Sequence, residues 1–142
     1  MAKFAAQVLG PTLSNMRDFL CSAFDIAHPP NCAMVNRYAD SESAVPMHAD
    51  DEPIFGGKYH CGDILSFSLG ASRIFDLKSS RGKKKVNAVL GHGDLLTMSG
   101  HCQRHYRHGV RRARDTDGTG IRINVTWRWI TNHLRSCAQV TN

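Results

Sequence analysis

The chain has no run of eighteen apolar residues, and its opening stretch, MAKFAAQVLGPTL, contains no apolar core of signal-peptide length. Neither a membrane partner nor a secretory leader is expected, so the sequence reads as a soluble, intracellular protein. Paired cysteines are lacking too. Cys21, Cys32, Cys61, Cys102 and Cys137 are odd in number, widely spaced and never arranged as CxxC. That pattern favours reduced thiols over a disulfide framework or a cysteine zinc site. Internal repeats and low-complexity tracts are also absent, which leaves no basis for a solenoid or a disordered chain. At 142 residues the length suits one domain, 1–142, with a sizeable core.

The composition is that of a globular protein, 42% hydrophobic and 21% charged, with a net charge of +6 that attracts polyanions. In PTLSNMRDFLCSAF, residues 11–24, Leu13, Met16, Leu20 and Phe24 fall at helical spacing behind a proline suited to a first turn. After AHPPN the character changes. CAMVNRY, ILSFSL, RIFDLK, KVNAVL, DLLTMS and RINVTWRWI are short, rich in β-branched and aromatic residues, and separated by turn formers. Such spacing predicts a mainly β protein, a sandwich or barrel, with one N-terminal helix packed outside it.

RINVTWRWI alternates completely. Arg122, Asn124, Thr126 and Arg128 share one face, while Ile123, Val125, Trp127 and Trp129 share the other. With the tryptophans against the helix, the polar face would line a pocket. Arg122 and Arg128 are then about 20 Å apart along the strand, at about 3.3 Å per residue. Arms of about 6–7 Å leaning inward would leave a gap suited to a small dicarboxylate, gripped by guanidinium at both ends.

A second concentration of chemistry is AVPMHADDEPIF, residues 44–55, which gathers His48, Asp50, Asp51 and Glu52. On a strand, His48 and Asp50 would share a face and could converge on one metal ion, two ligands of a facial triad. The third ligand would be a histidine from a distant strand. SGHCQRHYRHGV offers His101, His105 and His108, and spacing does not choose among them.

Taken in order, NRY at 36–38, HADDE at 48–52, SFSLGASRIFDLK from Ser66, GDLLTMSG from Gly93, HYRHGV from His105 and RINVTWR from Arg122 resemble the AlkB-like iron(II) and 2-oxoglutarate dioxygenases. The resemblance covers roughly residues 33–130. It implies a double-stranded β-helix, a jelly-roll (cupin-like) of two facing sheets. It also selects His108 as the third ligand, so that His48, Asp50 and His108 hold Fe(II). Arg122 would take the far carboxylate of 2-oxoglutarate, assisted by Asn124 and Tyr38, with Arg128 and Asn36 near the chelating carboxylate. Asp51 and Glu52 match the acidic pair that approaches the damaged base.

The implied activity is oxidative demethylation of N-methylated nucleobases of the 1-methyladenine and 3-methylcytosine type, using Fe(II), 2-oxoglutarate and O2 and releasing succinate, CO2 and formaldehyde. The rival expectations are a hydroxylase of protein or small-molecule substrates, and a catalytically silent β-barrel binding module. Two basic stretches bear on the partner: SSRGKKKV with Lys83, Lys84 and Lys85, and RHGVRRAR with Arg111 and Arg112. They point to phosphate contacts along nucleic acid, with single-stranded RNA or DNA expected. Residues 1–35 are few for the lid that family members build over the nucleotide, so the lid is expected to be reduced, and the chain to act as a monomer or as a domain of a larger protein. Arg111 stands where proline is frequent in the family, and Tyr106 where tryptophan is.

Overall fold

A computed structural model describes residues 8–114 and 120–131. Within them the elements run α1 (Pro11–Ala23), β1 (Cys32–Tyr38), β2 (Val45–His48), a 3-10 turn (Pro53–Phe55), β3 (Ile64–Gly70), β4 (Arg73–Ser79), β5 (Lys85–Leu90), β6 (Leu95–Met98), α2 (Cys102–His105), β7 (Tyr106–Val110) and β8 (Arg122–Arg128). The strands form two four-stranded antiparallel sheets, ordered β1-β8-β3-β6 and β2-β7-β4-β5. Among the described residues only β4 and β5 are both consecutive and paired. Every other pairing crosses over, which is the jelly-roll pattern that the family resemblance implied.

Two apolar layers result from strict alternation along the strands. Between the sheets lie Tyr38, Ile64, Phe75, Leu90, Met98 and Val110. On the outer face of the first sheet, Leu65, Val125 and Trp127 pack against Leu20, with Leu13 and Met16 of α1 at the margin. Each such buried side chain contributes about 1.5–3 kcal/mol of transfer free energy. Pro11 begins α1, where its fixed φ suits the first turn and its missing N–H costs nothing. The helix therefore covers the tryptophan face of β8, and the polar face turns inward.

The described cysteines, Cys21, Cys32, Cys61 and Cys102, are free thiols; Cys137 lies outside the described residues. No helix among the described residues is long and apolar enough to cross a membrane.

Candidate active site

A cavity of about 210 Å³ lies between the sheets, with the inward residues of β8 along its length. His48, Asp50 and His108 meet at one end, their ligand atoms all within 4.8 Å of one another. The two histidines are cross-strand partners on β2 and β7, with ring centroids 4.3 Å apart. Asp50 is not on the strand with His48, as the alternation argument had it. β2 ends at His48, and the following segment carries the carboxylate back beneath the rings. Pairing shifts between Val45 and His48, an irregularity beside Pro46, which has no N–H to give an interior strand. β2 is accordingly an edge strand.

His48 Nδ1 is 2.8 Å from the Pro46 carbonyl oxygen, which fixes the N–H on that nitrogen. Its Nε2 lone pair then faces Asp50 Oδ1 at 3.4 Å, and His108 Nε2 lies 3.8 Å from Oδ2. Three ligand atoms converging in this way could hold one cation among them. Ligands bound cis to one ion at about 2.1 Å lie about 3 Å apart, so a small inward adjustment satisfies a facial triad.

The electrostatics of the two histidines differ. Burial pushes the His108 pKa down to about 4, keeping its imidazole neutral for ligation. Hydrogen bonding to Asp50 raises the His48 pKa against the effect of burial, favouring a proton on Nε2 that a metal ion would have to displace. Burial opposes ionisation of Asp50, but the His48 contact and the charges of Arg128 and His108 override it and hold the carboxyl below its usual range. Phe75 stacks on His108 at 5.6 Å and limits its rotation. His105 is elsewhere, exposed on α2 and edge-on to His101.

At the far end stands Arg122, 1% exposed. Its Nη2 donates to Ser68 Oγ at 2.9 Å and its guanidinium lies 4.9 Å from the Tyr38 ring centroid, while Nε and Nη1 have no hydrogen-bond partner among the described residues. Buried, cationic and under-partnered, it is suited to receive an anion. Burial raises the pKa of Tyr38 despite the neighbouring Arg122, so its phenol stays protonated and can donate. Asn124 lines the cavity with its amide already spoken for: Nδ2 donates to Ser66 Oγ and the Phe67 carbonyl, and Oδ1 accepts from Thr126. It braces the strand as well as facing the cavity. Asn36 lines the same wall.

Arg128 does not lean toward Arg122. Its Nη2 is 2.6 Å from Asp50 Oδ2 as an ion pair, and its guanidinium lies over Phe55 at 5.0 Å. The sequence estimate treated both arginine arms as unengaged and missed the carboxylate at one end. Glu52 lines the cavity with Oε2 buried and unpartnered among the described residues, whereas Asp51 is exposed. On the other side of the Asp50–Arg128 pair lies a larger cavity of about 560 Å³, walled by Phe24, Leu65, Leu95 and Trp129.

The basic residues divide. Lys83 and Lys84 are exposed at the β4–β5 hairpin without an ion pair among the described residues. Lys85, in contrast, is 3.4 Å from Asp76, and Arg111 pairs with the same carboxylate through both Nε and Nη2. Arg112 meets Glu42 at 3.1 Å on the surface. Arg111 is thus committed to its own sheet rather than turned to a ligand, because β7 and β4 set it beside Asp76. Sequence reasoning passed over Ser68, Phe55, Phe75 and the Pro46 carbonyl. Only Ser68 had a signal: with Ile64 and Ser66 it alternates inward along β3, opposite Leu65 and Phe67.

The model of the 2OG-Fe(II) oxygenase superfamily matches residues 2–128. The chain is 34% identical to the DNA oxidative demethylase ALKBH2 of Arabidopsis thaliana, the match covering 70% of this chain and 38% of that protein. It is 33% identical to the DNA oxidative demethylase ALKBH2 of Mus musculus, over 84% of this chain and 51% of the relative. The chain therefore spans about half, or less, of the length of these relatives. Its fold is similar to that of OsALKBH1, with a TM-score of 0.54 at 24% identity, covering 83% of this chain and 60% of that one. Fold, triad, buried arginine and matched span agree, and the chain belongs to the 2OG-Fe(II) oxygenase superfamily as an AlkB-like member.

Proposed function

We propose that this chain oxidatively removes methyl groups from ring nitrogens of nucleobases in nucleic acid, consuming O2 and 2-oxoglutarate at an iron(II) centre. One oxygen atom enters succinate as CO2 leaves, and the other leaves with the methyl carbon as formaldehyde, so atoms balance for each turnover.

The observation that carries this reading is the pairing, in one cavity, of a His-Asp-His cluster at one end with a buried, under-partnered guanidinium at the other. His48, Asp50 and His108 would hold iron. Bound there with 2-oxoglutarate, iron supplies the oxidation of a methyl C–H bond. The chain's own residues do the positioning. Arg122, with Ser68 and Tyr38, takes the distal carboxylate of the dicarboxylate and so fixes which end faces the metal. Arg128 keeps Asp50 ionised, and its partnerless Nε remains for the proximal carboxylate, with Asn36 on the same wall. Asn124 holds β8 to β3 beneath the ligand. Glu52 offers a buried oxygen to an exocyclic amine of the base, which suits an adenine or cytosine ring. Asp51 stands at the rim. Lys83 and Lys84 fit phosphates of a single strand, giving affinity without sequence preference.

The test is anaerobic addition of iron(II) and 2-oxoglutarate followed by O2, with succinate and formaldehyde measured with and without a single-stranded oligonucleotide containing 1-methyladenine. Formaldehyde equal to the methyl mark lost is expected. Succinate without formaldehyde would move the substrate to a protein or small molecule, and neither product would leave a silent binding module.

A further inference from the structure

We infer that Tyr59 and Arg104 form a stacking platform for an unpaired nucleobase next to the reacting one; this rests on the nucleic-acid reading above and names where the strand is held.

Tyr59 is a large aromatic left 72% exposed. The segment that carries it is tied directly to the cavity: the Glu52 carbonyl accepts from the N–H of Phe55 at 3.0 Å and of Gly57 at 3.1 Å. Gly56 and Gly57 adopt φ of 89° and 74°, left-handed conformations that a side chain rarely tolerates, and they reverse the chain just beyond Glu52. A turn closed by His60 N–H on the Gly57 carbonyl, 3.1 Å, then puts Lys58 and Tyr59 at its tip.

Arg104 comes from a different element, α2, and its guanidinium carbon lies 5.1 Å from the centre of the Tyr59 ring. One face of the phenol is thus covered by a cation, and the exposure of the side chain leaves the rest to solvent. The same helix is joined to the basic hairpin, because Ser80 N–H donates to the His105 carbonyl at 2.8 Å. Arg81, Lys83 and Lys84 follow immediately in the chain. Hydrogen bonds and chain connectivity thus link Glu52 in the cavity to the Tyr59 turn, and α2, which carries Arg104, to the base of the lysine hairpin.

An aromatic face flanked by positive charge suits single-stranded nucleic acid, where every base has a π-face and the backbone is anionic. A protein partner would be served by an apolar rim, and Lys58, Arg104 and the hairpin provide charge instead.

The experiment is equilibrium binding of the intact, iron-loaded protein, under anaerobic conditions, to two probes of equal length and charge. One is a short unmodified oligothymidylate and the other its abasic counterpart. Tyr59→Ala is expected to weaken binding of the base-bearing strand about 5- to 150-fold, to leave the abasic strand within about twofold, and Tyr59→Trp to restore the loss. Equal binding by Tyr59→Ala and the unaltered protein overturns the platform, as does an equal loss for both probes. Failure to demethylate with base-dependent binding intact would count against the catalytic reading alone.

Discussion

Arg128 Nη2 stands 2.6 Å from Asp50 Oδ2, so a guanidinium on one sheet neutralises a carboxylate that follows an edge strand of the other. Both side chains are less than a tenth exposed. Arg128→Gln should leave a buried, uncompensated carboxylate in the metal-free protein and cost about 3–5 kcal/mol. A divalent ion restores the missing positive charge. Melting temperature should accordingly rise more on Mn(II) addition in Arg128→Gln than in the unaltered protein, and equal increments would refute the coupling.

On the proposed reading, Arg122 grips the distal carboxylate of 2-oxoglutarate at the end of the cavity away from the triad. Arg122→Lys keeps a charge but loses the planar fork, and should weaken 2-oxoglutarate binding about 10- to 100-fold. Anaerobic calorimetric titration measures this. Succinate should bind more weakly in parallel, since it carries the same distal carboxylate, and an unchanged affinity for both would remove Arg122 from the site.

Gly109 follows His108, the third proposed ligand, and a Cβ there would meet the Val45 carbonyl oxygen at 2.7 Å and the Met47 nitrogen at 3.2 Å. These atoms are backbone of β2 and cannot swing aside. Gly109→Ala should therefore push β2 away, cost about 1–3 kcal/mol, and displace His48 from His108. Denaturant unfolding reads the first effect and Co(II) absorption spectra the second. A variant of normal stability with an unaltered Co(II) spectrum would show that β2 yields without moving the ligand.

Asp76 carries a pH dependence whose sign is fixed. Its hydrogen bonds from Arg111 hold the carboxyl below its usual range against the opposing effect of burial, with the charges of Arg111 and Lys85 adding. A depressed carboxyl contributes stability that is present above the unfolded value of about 3.9 and is lost as pH falls through the folded one. Asp76→Asn should be about 1.5–3 kcal/mol less stable at neutral pH, with the gap closing below about pH 4. A gap that persists at acid pH would mean packing, not charge, is what the carboxylate contributes.

The outer helix and six of the eight strands were legible: α1 repeats its apolar residues at helical spacing, β8 alternates completely between polar and apolar residues, and the others are short segments rich in β-branched and aromatic residues between turn formers, whereas β2 and β7 were read as extended only on the condition that their histidines serve as ligands. The inward turn of Arg122, Asn124 and Arg128 followed from the same alternation. What alternation could not supply was the commitment of charges across elements. Arg128 and Asp50 are distant in sequence, as are Arg111 and Asp76, and only the pairing of β4 with β7 brings the latter together. Residues of the site that act through backbone atoms or ring faces, such as Pro46 and Phe75, carry no sequence mark at all. Among the three histidines of SGHCQRHYRHGV, geometry now separates them: His101 and His105 belong to the α2 surface, and His108 enters the interior strand β7.

The short helix α2 divides its residues between two tasks. Gln103 Oε1 accepts the Asp50 N–H at 3.0 Å from within, while Arg104, the next residue, looks outward over Tyr59. A single turn of helix thus ties the backbone of Asp50 to the outer rim, and a change in the seating of α2 would be felt at both places at once.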